Sequence, residues 1–281
     1  EQAPLLNMRT IAHISDIHFG RIDLRVADAL AADLAEKKPT LLVASGDFTQ
    51  RGRRGQYLAA AKFLQRLPTP QLPVPGNHDI PLYDVFHRFF APLKNYRQYL
   101  TSELRPTYRD EEMFVMGINT ARSLTFSPGG FWKDGDISEE QVLDVESRMR
   151  ELPASLLKVV VTHHPFIGSG TLRKHRLVHH AERALGVLQR SGVDLLLAGH
   201  FHIGYSGDVR THFQTIKRSM LSVQAGSATS TRRRESSNTY NWITLERDRI
   251  SIEVRSFDRN RFGTLRVATF LRGGEIWRLQ S

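Results

Sequence analysis

Between residues 10 and 204 five short apolar runs each finish in side chains that pack badly into a hydrophobic core. The run at 10–14 leads to Asp16 and His18, and "TLLVAS" (40–45) leads to Asp47. "QLPVP" (71–75) leads to Asn77, His78 and Asp79, "LKVVVT" (157–162) to His163 and His164, and "VDLLLA" (193–198) to His200 and His202. Runs this short and this uniformly apolar read as strands buried on both faces. "MFVMGIN" (113–119) is a further strand of the same kind. Between them, apolar residues recur at helical spacing over 22–37, 57–67, 136–152 and 181–189, with Ser138 placed to cap the third segment. This alternation predicts an α/β chain whose sheets are covered by helices.

In such a fold the carboxyl ends of the strands share an edge, where sites are normally assembled. Five polar endings therefore converge on one place. Asp16 and His18 are two residues apart, as are His200 and His202, so each pair projects to one side of an extended chain. Glycines precede Asp47, Asn77 and His200, which permits tight turns and close backbone approach. Carboxylates and imidazoles without sulfur suit manganese, iron, zinc or cobalt. The 281 residues include no cysteine, so thiolate ligands and disulfides are excluded. Left buried without partners, polar groups of this kind cost about 1–3 kcal/mol each, a penalty that a metal cluster removes.

The motifs "DIH", "GD", "GNHD", "HH" and "GHFH", in that order, resemble those of the calcineurin-like metallophosphoesterases over residues 10–204. The resemblance implies a four-layer αββα sandwich in which two mixed β-sheets are flanked by helices. It also implies two transition metal ions, manganese, iron or zinc, at the sheet edge. Asp16, His18 and His202 would hold one ion, Asn77, His163 and His200 the other, and Asp47 would bridge them. Two such cations sharing a water lower its pKa toward neutrality and clamp a phosphate for in-line attack. The resemblance gives His78 the task of assisting the leaving group and places Asn77 and His78 against the substrate. Arg51, four residues after Asp47, stands in a position similar to a phosphate-binding arginine. His164 is an additional imidazole beside the expected ligand, and Asp79 either orients His78 or stabilises the turn.

The "GNHD" form resembles the bacterial branch of class III cyclic-nucleotide and glycerophosphodiester phosphodiesterases, so phosphodiester hydrolysis is the expected activity. The alternative is attack on a nucleotide-linked lipid at a membrane surface, as in UDP-2,3-diacylglucosamine hydrolases. The basic, aromatic stretch at 86–99 motivates it, although typical members of that branch carry an arginine where this chain has His78. A non-catalytic phosphoesterase-like scaffold would ordinarily have lost ligands, whereas all seven positions are present.

Beyond Gly199 the runs "MLSVQAGS", "TYNWITLE", "RISIEVRSF" and "LRVATFL" predict consecutive antiparallel strands. Residues 8–281 read as one domain, with 83–110 a cap region and 205–281 a strand-rich part of the same fold. A formal net charge of +10 favours anionic partners, foremost a phosphate-containing small-molecule substrate, then an anionic membrane surface. The basic runs at 51–54, 173–176 and 232–234 are too dispersed to form an evident nucleic-acid face. No apolar run is long enough to span a bilayer and no secretion signal is visible, so a cytoplasmic location is expected.

Overall fold

Alternation along single strands divides the apolar residues among three cores. The computed structural model describes residues 8–123, 134–168, 177–231 and 237–280; the basic runs at 173–176 and 232–234 lie outside them. The first half of the chain forms β1 (Arg9–Ile14), α1 (Leu24–Lys37), β2 (Leu41–Ala44), α2 (Arg54–Leu64), β3 (Gln71–Pro73), α3 (Val85–Phe90), α4 (Lys94–Tyr99), β4 (Thr107–Arg109) and β5 (Met113–Gly117). The middle forms β6 (Gly135–Asp136), α5 (Glu139–Arg150), β7 (Leu157–Val161), β8 (Val178–His179), α6 (Ala181–Arg190) and β9 (Leu195–Ala198). The remainder is β10 (Tyr205–Asp208), β11 (Leu221–Gln224), β12 (Thr239–Glu246), β13 (Arg249–Asp258), β14 (Arg261–Gly273) and β15 (Ile276–Leu279).

Two mixed sheets result, one ordered β15-β14-β13-β12-β1-β2-β3 and the other β10-β11-β9-β7-β5-β4. Ile11, Leu41, Val43, Val159, Leu197 and Ile252 fill the core between them. Their strand neighbours Ala12, Ile14, Leu42 and Ala44 face α1, α2 and α4 on the outside of the first sheet. Val160 and Leu196 face α5 and α6 on the outside of the second. The layers are therefore helix, sheet, sheet and helix, the expected αββα sandwich.

Local sequence explains the helix boundaries. Asp23 accepts a hydrogen bond from Arg25 N, so α1 begins at Leu24 rather than at residue 22. It then buries Val26, Leu30 and Leu34 along one face. Ser138 and Gln141 form a reciprocal capping box at the start of α5. The second helix starts at Arg54, earlier than apolar spacing predicts, because its first turn is polar and leaves no periodic signal. Among the described residues no helix is long and apolar enough to cross a membrane.

One expectation is corrected. β12 to β15 form the predicted antiparallel succession. The "MLSVQAGS" strand does not join them: β11 runs parallel to β9 in the other sheet and antiparallel to β10. All four residues of β11 are buried, which suits an interior strand of a covered sheet.

This topology brings the polar strand ends together. β1, β2 and β3 are parallel, with Ile14 opposite Ala44 and Ala44 opposite Pro73, so all three stop at one level. β7 and β9 are likewise parallel and end with Val161 opposite Leu197. Leu197 is fully buried in the intersheet core just before the strand releases His200. Leu197→Ala is expected to lower unfolding free energy by about 2–5 kcal/mol, measured by urea denaturation, whereas Leu265→Ala on the exposed face of β14 should change it by under about 0.5 kcal/mol.

Candidate metal centre

Each strand hands its ligand-bearing residues to a tight turn. Asp16, His18, Asp47, His200 and His202 all have left-handed backbones, with φ between 53° and 73°. For residues with a Cβ this conformation costs roughly 1–2 kcal/mol, and Asp and His tolerate it better than most. Strain of this kind gathers at functional sites because the surroundings must enforce it. Two glycines supply the clearance. A Cβ on Gly76 would lie 2.2 Å from Asp47 Oδ1, and one on Gly199 would lie 1.8 Å from Ser15 Oγ.

The seven residues expected to bind metal meet at the shared sheet edge. Asp16, His18, Asp47, Asn77, His163 and His200 are buried, and the His202 side chain is 11% exposed. His18 Nε2 lies 3.5 Å and His202 Nε2 3.6 Å from Asp16 Oδ1. In a second group, His163 Nε2 lies 3.2 Å from Asn77 Oδ1 and 3.3 Å from His200 Nδ1. Asp47 touches both groups with different oxygens: Oδ2 is 3.6 Å from His18 Nε2, and Oδ1 is 3.5 Å from His163 Nε2. The sets Asp16/His18/His202 and Asp16/Asp47/His163 each bring their donor atoms within 4.8 Å of one another. So does His163/His164/His200, so His164 belongs geometrically with the cluster. Its Nδ1 also lies 2.9 Å from Thr120 Oγ1.

The donors fit divalent cations. Asp16 Oδ1 and His200 Nε2 are buried and have no hydrogen-bond partner among the described residues. Oxygen and imidazole nitrogen are suitable ligands for borderline metals. Electrostatics point the same way. Burial pushes the Asp16 carboxyl up, but the His202 charge and the nearby His18 imidazole outweigh it and hold Asp16 well below the usual carboxylate range. At Asp47, burial is similarly outweighed by His163 and His78. Burial lowers the His163 imidazole, yet Asp47 lifts it to about 9. His200 is driven well down by burial and by the neighbouring His163 charge.

His78 stands beside this group and is held separately. Its N–H donates to Asp47 Oδ1 at 2.8 Å, its Nδ1 is 2.9 Å from the Gln50 carbonyl, and its ring centroid is 5.1 Å from that of His18. The Asp79 carboxylate accepts from Thr49 N, Phe48 N and Gly76 N, tying the Asp47 loop to the Asn77 turn. Burial and the Asp47 charge raise Asp79 to about 7. Arg51 lies on the same loop, with its guanidinium 5.2 Å from the Tyr83 ring centroid.

Several supporting groups have no sequence signature. His163 Nδ1 meets the Ser45 carbonyl at 2.7 Å, and His202 Nδ1 meets Ser227 Oγ. Such contacts fix ring orientation and the nitrogen left for a metal. A backbone carbonyl is common to all residues, and Ser227 is 25 positions from His202. Only the general rule that a ligand histidine bonds through its other nitrogen could have prompted a search for them.

Residues 9–204 match the calcineurin-like phosphoesterase family. The chain belongs to that family. Its metal-type donors are drawn from the matched span, and the αββα layers extend beyond it through β12 to β15. Among curated phosphoesterases, the chain is 38% identical over 80 residues to glycerophosphodiester phosphodiesterase GpdQ of Enterobacter lignolyticus strain SCF1. That match covers 25% of this chain and 29% of the relative, under a third of its length. In fold, the chain resembles a dimetal phosphatase from Danio rerio, with a TM-score of 0.60 and 14% identity over 92% of this chain and 98% of the other. It also resembles purple acid phosphatase PPD1 from yellow lupin, Lupinus luteus, with a TM-score of 0.64 and 11% identity over 94% and 54% of the two chains.

A metal bound at His163 would have to displace the proton that Asp47 stabilises there, so loading should release acid. Because His163 titrates near 9, apparent affinity of the metal-stripped protein for Mn²⁺ should rise about tenfold per pH unit from 7 to 9 and then level off. Calorimetric titration in buffers of different ionisation enthalpy would measure both effects, and a flat profile would contradict them.

Proposed function

We propose that the chain is a dinuclear-metal-dependent phosphodiesterase. One observation carries this reading: Asp47 presents one oxygen to the Asp16/His18/His202 group and the other to the Asn77/His163/His200 group. A carboxylate so placed suits a bridge between two cations of the manganese, iron or zinc kind, with three further protein donors for each. When bound, such ions supply Lewis acidity and lower the pKa of water. The partial match to a glycerophosphodiester phosphodiesterase supports diesters as the substrate class.

The chain's own residues provide the remaining chemistry. Burial excludes bulk water from Asp16, His18 and His163, which strengthens every charge interaction there. Asn77 has its Nδ2 buried with no hydrogen-bond partner among the described residues, leaving a donor for a phosphate oxygen. Arg51 offers a guanidinium that can pair with two phosphate oxygens. His78 acts on the leaving group. The Gln50 carbonyl engages Nδ1, so the proton exchanged with substrate is the one on Nε2.

Mn²⁺-loaded protein should hydrolyse bis(p-nitrophenyl) phosphate faster than p-nitrophenyl phosphate; preference for the monoester would sink the diesterase reading. His78→Ala should reduce kcat on an alkyl diester by about 10²- to 10⁴-fold. The loss should be smaller on the p-nitrophenyl diester, whose leaving group needs little protonation. Equal losses would remove His78 as the proton donor.

A second reading, hydrolysis of a nucleotide-linked lipid at an anionic membrane surface, is favoured by α3. Phe86 and Phe90 are 66% and 76% exposed, with ring centroids 4.9 Å apart. Exposed aromatic pairs beside cations are a feature of interfacial helices. On this reading the protein floats with vesicles containing phosphatidylglycerol and Phe86→Ser/Phe90→Ser does not; absence of flotation counts against it.

A further inference from the structure

The loop that bears Asp47 continues past Gln50, whose carbonyl meets His78, directly into a cluster of cations. Arg51, Arg53 and Arg54, joined by Lys94 of α4, line a cavity of about 440 Å³ whose walls include Tyr83 and Tyr99. Among the described residues, its one acidic lining group is Asp84. That carboxylate is already engaged by His87, through the backbone N–H at 3.0 Å and through Nδ1 at 2.6 Å. The cations are thus left in excess within a concave space.

Two of them are positioned by aromatic groups. Arg51 stacks over Tyr83, and Arg54 Nε donates to the Tyr99 hydroxyl at 2.9 Å, which occupies one of its five donors. Arg53 and Lys94 are exposed. The arrangement also opposes the local backbone dipole. Arg53 is the N-cap of α2, it makes no side-chain capping bond, and the first turn contains no acidic residue. Positive side chains therefore crowd the positive end of a helix, a repulsive arrangement that an anion relieves. The volume falls within the range of small-molecule sites and is ample for a phosphate with part of its attached moiety.

We infer that this cavity binds a second phosphate group carried on one arm of the diester substrate, so that the preferred substrates hold at least two phosphates. The inference rests on the phosphodiesterase reading for the scissile phosphate. The tie between the sites is covalent: one continuous segment, 47–54, running into the first residue of α2, supplies Asp47 to the donor cluster, the carbonyl to His78 and three arginines to the cavity. A phosphate held by the arginines anchors one arm of the substrate. Free inorganic phosphate offers the same chemistry to the pocket, so the two sources must be distinguished.

The test uses the Mn²⁺-loaded full chain and the p-nitrophenyl ester of thymidine 5′-phosphate, with and without an added 3′-phosphate. The extra phosphate should lower KM by about tenfold through charge-assisted hydrogen bonds, with kcat changed less than about twofold. Arg53→Ala/Lys94→Ala, a pair of exposed changes, should erase that advantage and leave KM for the singly charged ester within about twofold of wild type. In parallel, metal-stripped protein is titrated with inorganic phosphate by calorimetry; wild type should bind and the double variant should lose at least about tenfold in affinity. No KM advantage in wild type, or one that survives in the variant, overturns the inference. Phosphate binding without a KM advantage would assign the pocket to a free anion and also overturn it. If neither ester is hydrolysed, the diesterase reading has failed, while the phosphate titration still reports separately on the cavity.

Discussion

Asp47 is a carboxylate with almost no exposed surface that must stay ionised while facing imidazoles on two sides. Water does not solvate it there, so its charge depends on partners brought from elsewhere in the chain. Much of the surrounding structure follows from that demand. Three parallel strands of one sheet stop in register, two of the other do likewise, and each passes into a turn short enough to keep its ligand at the edge. Left-handed backbones at five positions of the donor cluster are tolerated because the sheets behind them are too well packed to relax. Gly76 and Gly199 have no room for a side chain because Asp47 and Ser15 of the neighbouring turns occupy that space.

The sequence exposed most of the scaffold because burial on both faces produces uninterrupted apolar runs, and a polar residue directly after such a run is conspicuous. Asp16, Asp47, His163 and His200 could all be located by that contrast alone. Their sorting into two groups around Asp47 could not, since each group draws on both sheets and His200 and His202, released by the same strand, fall in different groups. β11 illustrates the limit: its run looks like those of β12 and β13, and only pairing with β9 assigns it to the other sheet. The start of α2 was obscured for a different reason, since Arg54, Gly55 and Gln56 carry no apolar period.

Groups that hold the ligands were the least legible. The Gln50 and Ser45 carbonyls act through the main chain, and any residue at those positions would offer the same atom. Asp79 was visible as a carboxylate, but its partners were not. Its bond to Thr49 crosses to a loop 30 residues away in sequence while that to Gly76 lies within its own turn, so its tying role follows from the fold and not from its neighbours alone.

Rigidity and specificity are separated in space. The donor cluster is built where the strands are buried and locked in register, so its geometry can change little without unfolding two sheets. The residues flanking it at 51–54 and 81–99 lie on loops and short helices, many of them half-buried or exposed. Substitutions there disturb few packed contacts, which lets the surroundings of the centre vary while its chemistry stays fixed. In this chain those surroundings combine a cationic cavity at Arg51, Arg53, Arg54 and Lys94 with exposed phenylalanines on α3. A diester with uncharged arms would gain little from such walls. Clustered arginines repel one another unless an anion joins them, so on the proposed reading the charge beside the site would select among substrates that the donor cluster alone treats alike.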